Sequence, residues 1–278
     1  MPARPELLAS TEWLADNLHR PEVRVVDVRW RPDGSGRQVH ASGHVPGAAY
    51  VDWSTELIEA EEHDGTFLLA GPAEVAAAAS AAGVGDGTTA VVYDDTVGLY
   101  ASRVWWSLLA YGFESCRILD GGFEAWLSEG RPVSSLAPTR WPATFTPRAQ
   151  LRVRLTTADV RSMLGNADVQ FVDARAPAEY LGLEGNTRRL GHIPGAVNVP
   201  AATTTEPGTQ RFRTVGELQR ILVRANVTRS RRLVSYDGSG IAAAKLAFVL
   251  RYLGYDDVAV YDGGWAEWGN RLDLPVDR

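Results

Sequence analysis

Four short segments of this 278-residue chain occur twice in the same order, and that repeat limits the fold more than any other feature does. Val25-Val26-Asp27-Val28-Arg29 matches Phe171-Val172-Asp173-Ala174-Arg175, and Gly43-His44-Val45-Pro46-Gly47-Ala48 matches Gly191-His192-Ile193-Pro194-Gly195-Ala196. Tyr93-Asp94 matches Tyr236-Asp237, and Asp120-Gly121-Gly122-Phe123 with Trp126 matches Asp262-Gly263-Gly264-Trp265 with Trp268. The separations are 146 (Asp27 to Asp173), 148 (His44 to His192), 143 (Asp94 to Asp237) and 142 (Asp120 to Asp262). So small a drift is what loop insertions inside one shared fold produce. The reading is two domains, residues 1–133 and 151–278, with a linker at 134–150. Pro138, Pro142 and Pro147 deny the linker both helix and central strand, so it is expected to drape over the surface.

Within each copy, short β-branched runs alternate with helical stretches. Residues 24–28, 90–93, 117–119, 170–172, 233–236 and 258–261 read as buried strands, and 72–82, 99–110, 215–225 and 242–253 read as helices. Gly83, Gly112 and Gly254 follow helices, where a left-handed residue is commonly required. Strands alternating with helices imply mainly parallel sheets flanked by helices, so the fold class is α/β, with a core in each copy.

Composition narrows the function. Formal net charge is -6, against the basic face that phosphate backbones require, so no nucleic-acid partner is expected. No apolar run approaches the roughly 18 residues of a membrane span, and the first ten residues lack a secretion signal, so a cytoplasmic protein is expected. Cys116 is the single cysteine, which excludes a disulfide framework and a multi-cysteine metal site. No metal or other cofactor is implied, and either a monomer or a homodimer is expected.

The segment Tyr236-Asp237-Gly238-Ser239-Gly240-Ile241-Ala242-Ala243-Ala244 reads as a strand end, a small-residue loop and a helix start. Two glycines let successive N–H groups turn inward, and the helix start adds its positive end, so the loop is expected to cradle an anion. It also reads as an ordinary strand-to-helix turn with Asp237 near the helix N-cap.

Taken together, these motifs resemble the tandem-rhodanese sulfurtransferases, the thiosulfate and 3-mercaptopyruvate sulfurtransferase family. The resemblance rests on the Asp27 and Asp173 segments, the His44 and His192 segments, Ala101 to Trp106 with Arg103, and the two Asp-Gly-Gly segments. It implies two rhodanese-like domains, the first silent at Asp94 and Asp95, the second carrying an active-site loop over residues 237–243. By the resemblance, Asp237 stands where the family has a cysteine that carries sulfane sulfur as a persulfide. A carboxylate cannot carry a persulfide, so sulfur relay through this position is expected to be absent. Cys116, at the start of a first-copy strand, reads as structural rather than as a substitute.

The Gly-Ser-Gly pattern resembles the mercaptopyruvate-type loop. The resemblance then implies a relay of Ser239, His44 and Asp27, although His44 and Asp27 also belong to segments repeated at His192 and Asp173. It further implies a substrate-binding arginine at Arg188 or Arg189, and Arg103 directed toward the shared cleft or into solvent. Gly238, Gly240, Ile241 and Ala242 complete the expected binding loop. An ionised Asp237 in such a nest is expected to have a depressed pKa, or to occupy the nest itself and block other anions. Three functions fit these residues: an enzyme repurposed for a small anionic or keto-acid-like substrate, a non-catalytic binding protein, or an engineered Cys-to-Asp form of an active sulfurtransferase. A rhodanese-like phosphatase needs a cysteine and a longer, arginine-bearing loop, and neither is present.

Overall fold

The computed structural model describes residues 2–59, 66–137 and 142–278. The first copy holds strands β1 (Leu8–Ala9), β2 (Val23–Asp27), β3 (Ala49–Tyr50), β4 (Thr89–Tyr93) and β5 (Cys116–Leu119). The second holds β6 (Arg154–Leu155), β7 (Val169–Asp173), β8 (Val197–Asn198), β9 (Arg232–Tyr236) and β10 (Val258–Tyr261). Helices α1 (Thr11–Asn17), α2 (Gly36–Ser42), α3 (Trp53–Glu56), α4 (Pro72–Ala81), α5 (Leu99–Ala110) and α6 (Gly122–Ser128) belong to the first copy. Helices α7 (Thr157–Ser162), α8 (Pro177–Tyr180), α9 (Val215–Arg224), α10 (Ile241–Tyr252) and α11 (Gly264–Trp268) belong to the second.

Each sheet is parallel and five-stranded, in the orders β1-β5-β4-β2-β3 and β6-β10-β9-β7-β8, so the two topologies superpose strand for strand. Registers repeat as well: Asp27 pairs with Tyr93, and Asp173 with Tyr236. The central strands are buried and mostly apolar because helices cover both faces, with Arg232 at the partly exposed start of β9 and the buried Ser235 as its polar positions. Gly83, Gly112 and Gly254 take left-handed φ of 77°, 85° and 82° just past their helices.

The cores are not confined to one copy each. Each sheet has its own cluster on one face, around Trp126 in the first copy and Trp268 in the second. The largest cluster lies between the sheets and draws on both copies. It is built on α5 and α10, which are buried almost all round and pack against each other, with Trp105 edge-on to Phe248 at 5.1 Å between ring centroids.

The linker reading falls partly on residues 138–141, which lie outside the described residues. Of the rest, the Asp86 N–H donates to the Thr144 carbonyl at 2.8 Å, the Arg148 N–H to Tyr111 at 2.8 Å and the Gln150 N–H to Ala110 at 2.7 Å. This stretch is therefore laid along the first copy.

The repeated motifs prove architectural. Asp27 and Arg29 form a buried pair at 2.6 Å, and the Arg29 guanidinium also donates to the Gly43 carbonyl. Asp173, Arg175 and Gly191 repeat this at 2.6 and 2.7 Å. The pair ties a central strand end to the following Gly-His turn. His44 and His192 each bridge backbone to backbone with a later segment, at Ser134 and Asp277.

Candidate functional site

Strand β9 ends at the buried Tyr236, and the chain turns through Asp237 to Gly240 into α10. The Gly240 N–H donates to Asp237 Oδ1 at 2.6 Å, and the Ala242 N–H donates to Oδ2 at 3.1 Å. The nest is therefore filled by the loop's own carboxylate rather than left open for an external anion. Gly240 sits at φ 86°, and a Cβ there would lie 2.8 Å from the Asp262 carbonyl. On the other side, the first amides of α11 hold the loop, with the Trp265 N–H donating to the Asp237 carbonyl at 2.6 Å and the Ala266 N–H to the Gly238 carbonyl at 2.8 Å.

The expected depression of the Asp237 pKa is not found. Burial pushes this carboxyl above its ordinary value, and the amides of Ala242, Gly240, Ala243 and Ser239 offset only part of the desolvation. The amide donors do lower the pKa, but with the residue only 6% exposed the lost hydration outweighs them.

The first copy carries the same device. Asp94 Oδ1 accepts from the Thr96 and Gly98 amides at 3.0 and 2.9 Å, and Oδ2 from the Tyr100 and Ala101 amides at 2.8 and 2.9 Å. Burial raises its pKa too. Both strand-end loops thus close on their own aspartate.

The structure does not bring Ser239, His44 and Asp27 together. His44 Nδ1 lies 2.8 Å from the His40 carbonyl and Nε2 lies 3.1 Å from the Leu136 carbonyl, so its own copy and the linker hold the two ring nitrogens. Asp27 is held by Arg29 and by His40 Nδ1 at 2.9 Å. The reason is the repeat itself: His192 Nδ1 meets the Tyr180 carbonyl at 2.8 Å, and Asp173 pairs with Arg175, in the corresponding places. Ser239 is half-buried in the loop, and its backbone amide is what serves Asp237.

The arginines also diverge from expectation. Arg103 is fully buried, neither solvated nor open to a ligand: its guanidinium donates to the Gly240 carbonyl at 3.1 Å, to Asp262 Oδ1 at 2.9 Å and to the Phe67 carbonyl. It crosses between copies as a brace behind the loop. Arg189 spends its donors on the carbonyls of Leu274, Trp268 and Arg271. Arg188 is exposed and lines a groove at the junction with Leu68, Glu267 and Arg271. Of the expected binding loop, Gly238 and Ala242 line a second cavity with Asp237, Gly240 is buried behind it, and Ile241 packs on the shared core. Cys116 lies buried in β5, where burial alone raises its thiol pKa.

That second cavity, of about 370 Å³, lies where the copies meet. Val97 and Leu99 come from the first copy, and Asp237, Gly238, Ala242 and Lys245 from the second. Val97 has φ 50°, a strained conformation for a β-branched residue. Lys245 is 1% exposed, and its ammonium has no hydrogen bond or ion pair among the described residues, its near neighbour being the Phe212 ring at 5.7 Å. Sequence reasoning passed over it as one more helix residue. One countable signal was there: of 28 basic residues, all but Lys245 are arginine.

Two copies of one five-stranded parallel unit, each closing on a strand-end loop with inward amides, define a tandem α/β protein with a cavity at the domain junction. The chain belongs to the rhodanese sulfurtransferase family: the Rhodanese-like domain pattern matches residues 10–129 and 156–271. It is 31% identical over 290 residues to the sulfur carrier protein TtuD of Thermus thermophilus, covering 99% of this chain and 98% of that protein. It is 34% identical over 284 residues to mouse 3-mercaptopyruvate sulfurtransferase, covering 96% and 94%. The crystal structure of SseA, a 3-mercaptopyruvate sulfotransferase of Escherichia coli, is similar at TM-score 0.83 and 28% identity over 93% of this chain and 98% of that one. Among the described residues no helix is long and apolar enough to cross a membrane.

Proposed function

We propose that this chain is a rhodanese-family enzyme that carries no persulfide on its loop and acts instead on a small anionic, keto-acid-like molecule at the junction of its two copies. The observation that supports this reading most is the cavity shared by Asp237 and Lys245, an acid and a base with burial-shifted proton affinities facing one small space. Asp237 is read as standing where the family has its sulfur-carrying cysteine, and Cys116, the single thiol, is buried in β5 of the other copy. In this role Asp237 moves a proton to or from the bound molecule rather than taking a sulfur atom. A cytoplasmic setting agrees with an unpaired, buried cysteine.

The test compares the chain as it stands with Asp237→Cys and Asp237→Asn. No sulfur transfer from thiosulfate or 3-mercaptopyruvate to cyanide is expected for the first, some for the cysteine variant, and loss of 2-oxo-acid turnover for the asparagine variant. Sulfur transfer by the unaltered chain at the rate of Asp237→Cys would sink the reading. A second reading, a non-catalytic binding protein, is favoured by the likeness of the Asp237 and Asp94 loops, since the first copy's loop is filled in the same way. Capture of a 2-oxo acid with no turnover of any in a metabolite panel selects it.

A further inference from the structure

We infer that Lys245 is a covalent site, its side-chain amine condensing reversibly with the carbonyl carbon of a small aldehyde or 2-oxo acid that enters the junction cavity. This rests on the cavity being the working site, as proposed above, and adds the residue that bonds to the ligand and the class of ligand it takes.

Three features carry it. A lysine amine with no hydrogen bond or ion pair among the described residues is a costly thing to bury, and here it faces a space of about 370 Å³. The chain uses arginine at every other basic position, and arginine cannot do the one thing lysine can, which is lose its proton and attack carbon. Carboxyl groups share the walls, Asp237 from the loop and Glu179 from α8.

Burial lowers the Lys245 pKa to about 8, with the charge of Asp94 opposing the shift. Of the charged groups around it, Arg175 is held by Asp173, and Asp94 by the amides of its own loop, while Asp237 and Glu179 share the cavity walls. The amine is thus substantially free base in mildly alkaline solution.

The step balances without redox. The nitrogen lone pair forms the C–N bond as the C=O pair moves onto oxygen. A proton passes from nitrogen to that oxygen, giving a carbinolamine. The hydroxyl then leaves as water, taking a proton from the carboxylic acid form of Asp237, and the iminium that remains returns a proton to the carboxylate. Hydrolysis reverses every step.

The experiment incubates the intact protein with glyoxylate or pyruvate, adds cyanoborohydride, and maps the product. Only one bond of the untreated chain is cut by lysyl endopeptidase, so modification reads out as loss of that cut and as one carboxymethyl or carboxyethyl group on the Lys245 peptide. The expected result is labelling of folded protein at least tenfold above a Lys245→Arg control, whose only remaining amine is the N-terminus, and rising as pH passes about 8. The denatured chain sets the intrinsic reactivity. A Lys245 that labels when unfolded but stays unlabelled when folded overturns the inference. If it stays unlabelled while 2-oxo acids still bind, and Asp237→Asn abolishes that binding, the cavity reading stands and the covalent step falls. Neither labelling nor binding removes both. Full labelling unchanged in Asp237→Asn upholds the lysine site and removes the part given to Asp237.

Discussion

Asp237 is pulled two ways, by amides that favour its ion and by burial that disfavours it, and burial dominates. The sign of the consequence is fixed. A carboxyl whose pKa is raised on folding is most compatible with the fold when protonated, so its contribution is fully present below the unfolded value of roughly 4 and is lost as pH rises through the folded value. Asp237→Asn removes that dependence. Its stability relative to the parent should therefore improve as pH is raised from about 4 through the folded value and level off above it, whatever its absolute offset. An offset is expected, because an amide NH₂ facing the Gly240 or Ala242 N–H leaves one donor unmatched. Urea denaturation of both proteins across that range is the measurement, and parallel stability curves would refute the raised pKa. The loop was legible in the sequence from two glycines after a strand. That its own carboxylate would fill it was one of two outcomes the string allowed, and how deeply it would be buried depends on α11 and α5, which come from elsewhere in the chain. His44 could not be assigned from its motif, because a motif histidine reads the same whether it moves protons or holds a turn; its ring nitrogens lie against two carbonyls.

At the scale of elements, the loop's position depends on how closely α11 can approach it. Gly264 makes that possible: its φ is 56°, and a Cβ would lie 2.6 Å from the Asp237 carbonyl and 2.9 Å from that of Gly238. Gly264→Ala must push α11 off the loop and stretch the two hydrogen bonds from Trp265 and Ala266. The expected cost is about 2–4 kcal/mol, against about 1 kcal/mol for Gly130→Ala, which also has a left-handed φ, 66°, but open space around it. Thermal unfolding of the two variants compares them directly, and equal losses would mean that strain alone, not contact with the loop, sets the effect. The long elements were legible to within a residue: β9 and β10 from their β-branched runs, α5 and α10 from length and a closing glycine. The two-residue strands β1, β3, β6 and β8 were not, since two residues carry no period, and only the neighbouring strand makes them strands.

For the whole molecule, the two copies are joined by reciprocal grips. Asp262, in the second copy, accepts from Arg103 at 2.9 Å and from the Leu69 N–H at 2.8 Å, both of the first copy. Asp120, in the first copy, accepts from the Phe212 N–H at 2.9 Å and from Arg211 at 3.4 Å, both of the second. The repeat made two cores the natural expectation. The common cluster on α5 and α10 could not be read from either copy alone, because a helix apolar all round says that it is buried without saying against what. The Arg103–Asp262 pair lies inside that junction, so breaking it should loosen the whole chain rather than one half. Arg103→Met leaves Asp262 partly compensated by Arg154 at 2.9 Å but strips cover from the Gly240 and Phe67 carbonyls, for an expected loss of about 3–5 kcal/mol. Asp262→Asn should cost a similar amount, and the double variant clearly less than the two together, because each single change strands the partner that the other removes. Guanidinium unfolding followed by pulsed amide hydrogen exchange, with the peptides of β4 in the first copy and β9 in the second as reporters, reads both points. A double variant whose losses add would show the pair to be uncoupled. Separate transitions for the two reporters in the parent would show that the common core does not hold the copies together.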